Sequence, residues 1–307
     1  MKREILIKIF GVLFLVIGLF SLFHVPAEFT SFYIFMDGGN FHYAGFGFGS
    51  LMFAFIIFNA MAYFILASLG IPLGIGNFSL KKWGLNLSIA TAKTVLMLGL
   101  ALLTSFLFSF NLLHTLELHQ TIIISTFLLL FLIALPCLLI KFYKDPNTKQ
   151  LFKKSKVEGY FEKQSSEKLT VVLLNLFWAS IFYLFLFFKG VFPLFGEFVV
   201  KRDGTYYLSI AIFVLLVLAY LFYKNRYYAR YLMLGYYVIL FIAFIPTFLK
   251  HNSNDFLNLL NLPVYEVEKV VPAFWIPIGM NLAFFSGSLI VIQMYLLFRT
   301  KNSNIKN

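Results

Sequence analysis

Residues 120–168 read QTIIISTFLLLFLIALPCLLIKFYKDPNTKQLFKKSKVEGYFEKQSSEK. The first part, 120–143, carries a single charge, Lys141. It is long enough to cross a bilayer core, which takes roughly 20 apolar residues of helix. The second part, 144–168, is dense in lysine, and an apolar span running into basic charge marks a helix that ends on the cytoplasmic side of a membrane.

Working outward, runs of the same kind fall at 5–23, 46–70, 88–113, 120–143, 169–189, 206–223, 230–249 and 273–298. Lipid offers backbone N–H and C=O groups no partner, so each run must bond itself as a helix. Hydrophobic residues make up 61% of the chain, charged residues 12%, and the mean hydropathy is +0.86. A soluble domain carries about twice that charge. The reading is all-α: a polytopic membrane helix bundle of about eight transmembrane helices. Lys2 and Arg3 before the first run could open a signal peptide, but Val25-Pro26-Ala27 is a poor cleavage site, so a retained first helix is expected. The single cysteine, Cys137, lies inside a span and permits no intrachain disulfide.

Charge sets the expected orientation. Most of the 25 Lys and Arg residues fall before the first run, after the even-numbered runs and at the C-terminus. The positive-inside rule then puts both termini in the cytoplasm and the chain in a cell membrane. The net charge of +12 follows from that topology and gives no reason to expect nucleic acid as a partner. The expected partners are the lipid bilayer and other membrane-protein subunits.

The basic segment divides the chain into a first four-helix half (1–143), a cytoplasmic linker (144–168) and a second four-helix half (169–307). Leu151, Phe152, Tyr160 and Phe161 among its lysines suit either an interfacial segment on anionic lipid or a solvated linker. The halves look weakly alike. Pro26, Glu28 and Asp37-Gly38 follow the first run much as Pro193, Glu197 and Asp203-Gly204 follow the fifth. Two parallel repeats of four would be related by an axis along the membrane normal.

The spans hold almost no charge. Lys93, near a cytoplasmic end, can snorkel, and an ion-coupled transporter would want intramembrane carboxylates or histidines. Three groups of residues are candidate sites. His114, Glu117 and His119 share one outer loop, and imidazole with carboxylate suits zinc. Gly45 and Gly49, at i and i+4 on the start of the second helix, and Gly287 on the eighth suit close packing or a partner. Glu28, Asp37, Glu197 and Asp203 would face one another across an extracytoplasmic mouth if the halves repeat. Phe29 to Met36 reads as a hairpin or re-entrant element, and 250–271 as holding a short interfacial helix.

No nucleophile elbow, phosphate loop or haem-attachment motif is present, and no cofactor is expected. The function expected first is a non-catalytic membrane subunit or scaffold that binds a partner protein or lipid. The alternatives are a transporter or lipid facilitator with a path between the halves, and a metal-dependent enzyme on the outer face.

Overall fold

Eight helices in the structure, a computed structural model, are long and apolar enough to cross a membrane. Residues 2–36, 39–41, 43, 45–113, 118–152, 164–251, 253–260, 262, 266, 268 and 280–300 are described. The first half holds α1 (Lys2–Phe35), α2 (Leu51–Phe78) and α3 (Lys82–Leu113). Its fourth span is built from α4 (Leu118–Phe127), a π-helical segment (Leu128–Ala134) and α5 (Leu135–Lys144), and α6 (Pro146–Leu151) follows. The second half holds α7 (Ser166–Phe187), strands β1 (Phe192–Leu194) and β2 (Glu197–Val199), α8 (Lys201–Tyr223), α9 (Ala229–Lys250), α10 (Ser253–Leu260) and α11 (Met280–Arg299). The protein is an all-α polytopic bundle with one small hairpin. The α10 helix lies in the 250–271 connection, where a short helix is expected.

The first helix corrects an expectation. Phe29 to Met36 forms no hairpin or re-entrant element, because α1 runs unbroken for 34 residues to Phe35. No glycine or proline interrupts Ala27 to Phe35, and Pro26 inside the helix does not stop it. At 1.5 Å per residue α1 reaches ~51 Å, well beyond a ~30 Å hydrocarbon core.

Glycines let α1 and α2 meet backbone to backbone. A Cβ on Gly11 would stand 2.6 Å from the Phe78 nitrogen, and one on Gly18 would stand 2.6 Å from the Ile71 nitrogen. From the other helix, a Cβ on Gly74 would stand 2.7 Å from the Leu15 nitrogen. No side chain fits in that seam. In lipid, where helices gain nothing by hiding apolar surface from each other, such close van der Waals contact is what holds a pair together.

Helix α3 is the hub. It packs on α2, α5 and the π-helical segment in its own half, and on α7 and α11 in the other. The π-helical segment has a visible cause. Pro136 has no N–H and its ring would strike the carbonyl of Leu132, so the turns before it widen. The Leu132 carbonyl oxygen is then pressed against α3, 2.5 Å from where a Gly99 Cβ would be.

In the second half α7, α8, α9 and α11 close over Leu174, Trp178, Leu215, Met233 and Leu289. One polar pair lies inside: the fully buried Tyr237 hydroxyl donates to Asn175 Oδ1. Between α7 and α8 the chain forms a β-hairpin with Pro193 opposite Phe198. Its two turn residues, Phe195 and Gly196, have φ of 48° and 94°, the left-handed pair that a tight two-residue hairpin needs. Gly204 follows because a Cβ there would fall 1.7 Å from the Gly190 carbonyl oxygen. The segments matched between the halves differ in local structure: Pro26 and Glu28 sit in a helix, Pro193 and Glu197 in strands.

The α1–α2 seam yields a prediction. Gly18→Leu is expected to lower stability by roughly 1–3 kcal/mol, the usual range for overpacking. Gly235→Leu, where nothing lies within 4 Å of the new Cβ, is expected to be near neutral. Thermal melts of both variants in one detergent check the contrast, and equal melting temperatures would refute the seam.

Candidate functional site: a basic cavity

The basic residues at the ends of several helices are linked into one face. Arg3 of α1 pairs with Asp145, which precedes α6 and accepts from the N–H of Asn147 at 2.9 Å. Desolvation pushes the Asp145 carboxyl up, but hydrogen bonds from Arg3, Asn147 and Thr148 outweigh it and hold the group below the usual carboxylate range. Phe152 at the end of α6 packs with Ile7 of α1, Leu85 of α3 and Tyr143 of α5. Asn86 of α3 donates to the Gln164 carbonyl at 2.9 Å. Lys168 of α7 donates to Asn225 after α8, and Arg230 of α9 donates to the Phe298 carbonyl at 2.7 Å at the end of α11.

On this face lies an open cavity of about 460 Å³ lined by Lys82, Leu85, Asn86, Ile89, Lys144, Lys149, Phe152, Ser166 and Glu167. Lys82 opens α3, Lys144 closes α5 and Lys149 belongs to α6, so three elements each bring one ammonium group. None of these three lysines forms an ion pair among the described residues. The one carboxylate among the described lining residues, Glu167, accepts from Lys93 at 2.6 Å. Lys93 is therefore paired across from α3 to α7, where snorkelling is expected from the sequence. Leu85, Ile89 and Phe152 supply an apolar part of the wall, beside the polar Asn86 and Ser166. A charged rim over an apolar floor, at the end of membrane helices, is chemically suited to an anionic amphiphile.

On the opposite face two carboxylates, Glu266 and Glu197, are paired within the chain. Glu266, fully removed from solvent, accepts from the N–H of Leu51 at 2.8 Å and of Met52 at 3.1 Å, and from the Tyr43 hydroxyl at 3.0 Å. Ser50 accepts from the Phe53 N–H at 3.2 Å, which completes the start of α2. Glu197 on the hairpin is bonded by Lys250, with His251 at 3.6 Å. The Lys250 ammonium, and behind it His251, hold the Glu197 carboxyl below its usual range. The hairpin turn is tied to α9 as well, since the Gly196 N–H donates to Thr247 Oγ1 at 2.8 Å. Beneath it lies a smaller cavity of about 120 Å³ lined by Trp178, Phe182, Pro193, Phe198 and Phe244 among others.

The sequence-derived candidates come out unevenly. Gly45 and Gly49 do not form a helical i, i+4 pair: α2 begins only at Leu51, and both glycines stand in the preceding turn with φ of 81° and 93°. The positive φ at both glycines is incompatible with an earlier helix start. A Cβ on Gly49 would meet the Lys189 side chain at 2.7 Å, so this turn touches the second half. Gly287 does lie in a helix, with Ile245 of α9 about 3.0 Å from its would-be Cβ. His119 is exposed near the start of α4, while His114 and Glu117 lie outside the described residues. No three His, Cys, Asp or Glu among the described residues could hold a metal ion together. Asp37 also lies outside them. Glu28 is half-buried on α1, Asp203 is exposed in the first turn of α8, and Glu197 is engaged by α9.

Two functional groupings escaped the sequence reading. Lys82 lies dozens of residues before Lys144 and Lys149, and only the lysine density of the linker hinted at them. Glu266 gave no signal beyond being an acid in a long connection. The chain matches no protein-family model, and no similar curated protein or solved structure is found for it.

Glu266 should matter for assembly of the opposite face. Glu266→Ala is expected to cost about 1–3 kcal/mol, the range for leaving buried donors unsatisfied. Glu266→Gln should lose less, since an amide oxygen can still accept. The fall in melting temperature in detergent, alanine beyond glutamine, is the readout; an unchanged melt for Glu266→Ala would remove the cap from the account.

Proposed function

We propose that this multi-pass membrane protein is a non-catalytic subunit or scaffold whose basic face binds the headgroup of an anionic lipid. One observation carries the reading: the cavity on that face, where Lys82, Lys144 and Lys149 share a lining with Leu85, Ile89 and Phe152 and form no ion pair among the described residues. Lipid phosphate neutralises such lysines, and the apolar floor accommodates the first carbons below a headgroup. The charge bias along the chain supports reading this face as cytoplasmic, where anionic lipid is attracted to basic segments.

Packing between the halves supports a binding role over a transport path. Helix α3 lies against α7 and α11, and the ion pair that enters the bundle, Lys93 with Glu167, is used to join the halves. The scaffold role follows from the same hub: a bound headgroup would touch α3, α5, α6 and α7 at once and stiffen their arrangement.

Native mass spectrometry of the full chain in mild detergent tests the reading. With phosphatidylglycerol and phosphatidylcholine added at equal concentration, the anionic lipid should be retained preferentially. Lys82→Gln with Lys149→Gln should remove that preference. Equal retention of the two lipids by the unaltered protein would overturn the proposal.

A further inference from the structure

We infer that the basic cavity selects a terminal phosphate, one esterified at a single oxygen as in phosphatidate or a lipid diphosphate, over the phosphodiester of common anionic lipids. This rests on the lipid-binding reading of the same cavity and specifies its ligand. Charge is the first argument. A diester carries one negative charge, whereas a terminal phosphate carries about 1.5 to 2 near neutral pH. Among the described residues three lysines line the cavity, and Glu167, already bonded to Lys93 at 2.6 Å, adds no net charge with its partner. A singly charged headgroup would leave most of that positive charge unmatched.

Donor count is the second argument. A terminal phosphate presents three unesterified oxygens, and the three ammonium groups come from separate elements, α3, α5 and α6, around one opening. They can therefore approach a tetrahedral group from different sides, which lysines on one helix face cannot do. Helices α3 and α7 both begin at this cavity, with Lys82 and Ser166 as their first residues, so two positive helix ends add to the field.

The third argument is a pair of unsatisfied buried groups beside the lining. Gln164, 2% exposed, has its carbonyl held by the lining residue Asn86, yet its amide nitrogen has no partner. Thr148, 0% exposed and next in sequence to Lys149, has a hydroxyl without a partner. Buried donors without acceptors are costly, and both residues adjoin the lining, Gln164 through its bond from Asn86 and Thr148 through its neighbour Lys149. The cavity volume of about 460 Å³ leaves room for a phosphate together with the start of a glycerol or prenyl chain along Leu85 and Ile89.

The test is a lipid titration of the full-length protein in detergent, read by native mass spectrometry, with phosphatidate, phosphatidylglycerol, phosphatidylcholine and inorganic pyrophosphate as probes. Phosphatidate should bind about tenfold tighter than phosphatidylglycerol, the order expected for one more charge-assisted contact. Lys82→Gln with Lys149→Gln should abolish that difference, and Lys2→Gln, which removes a charge from an exposed position outside the cavity lining, should keep it. If the double variant melts early, Lys149→Gln alone, at an exposed position, should still narrow the gap. Equal binding of phosphatidate and phosphatidylglycerol, both above phosphatidylcholine, would overturn the terminal-phosphate inference and leave the anionic-lipid reading standing. No preference for either anionic lipid over phosphatidylcholine would overturn both. Pyrophosphate displacing phosphatidate at equal concentration would overturn the lipid as the source of the phosphate.

Discussion

A peptide N–H or C=O left unbonded in hydrocarbon costs several kcal/mol, and the rest of this structure depends on how the chain meets that constraint. Within the spans the answer is helix. At the helix ends it must come from elsewhere, and this chain uses nearby side chains. Ser50 and Glu266 take the first N–H groups of α2. Ser165 accepts from the Lys168 N–H at 3.3 Å to start α7, and Asp145 starts α6. Where Pro136 removes a donor inside a span, the helix widens into π turns. Because Glu266 comes from the second half and α2 from the first, satisfying one helix end also fastens the two halves together.

Helix association inside the bilayer must then rest on close contact and on a few polar bonds. The α1–α2 seam uses glycine for the former, and so does the crossing of α2 and α3, where a Gly84 Cβ would sit 2.6 Å from the Gly76 Cα. Beside that crossing, Asn77 bonds the Ser88 hydroxyl at 2.8 Å. Both contacts fix the start of α3, and the start of α3 carries Lys82, Leu85 and Asn86 into the basic cavity. The geometry of the cavity is thus inherited from glycines that never touch it.

The spans were legible because a bilayer imposes a length and a polarity that composition alone must obey. The 120–143 run and the basic stretch after it are visible to anyone counting charges. Details governed by contact were not. Gly45 and Gly49 have the spacing of a helix-packing pair, but spacing cannot reveal that the helix starts two residues later, whereas Gly11, Gly18 and Gly74 look unremarkable until α1 and α2 are laid side by side. Phe29 to Met36 seemed too short to cross and was separated from the first run by Pro26, yet a proline within a long apolar helix removes one bond and need not end it. The cavity lysines belong to three elements whose meeting depends on the turn at Asp145 and the docking of Phe152, neither of which has a periodic signature.

The two faces of the bundle differ in how their charges are used. On the opposite face two carboxylates are answered from within: Glu266 by backbone N–H groups, Glu197 by Lys250. Such pairing gives rigidity and leaves little for a ligand to gain. On the basic face Asp145 and Glu167 answer Arg3 and Lys93, and three further lysines around one opening have no ion-pair partner among the described residues. Topology requires positive charge on one side of a membrane but does not require it to converge. Lysines that served topology alone would spread into water to lower their mutual repulsion. Their convergence over an apolar floor is the arrangement that an anionic amphiphile would stabilise.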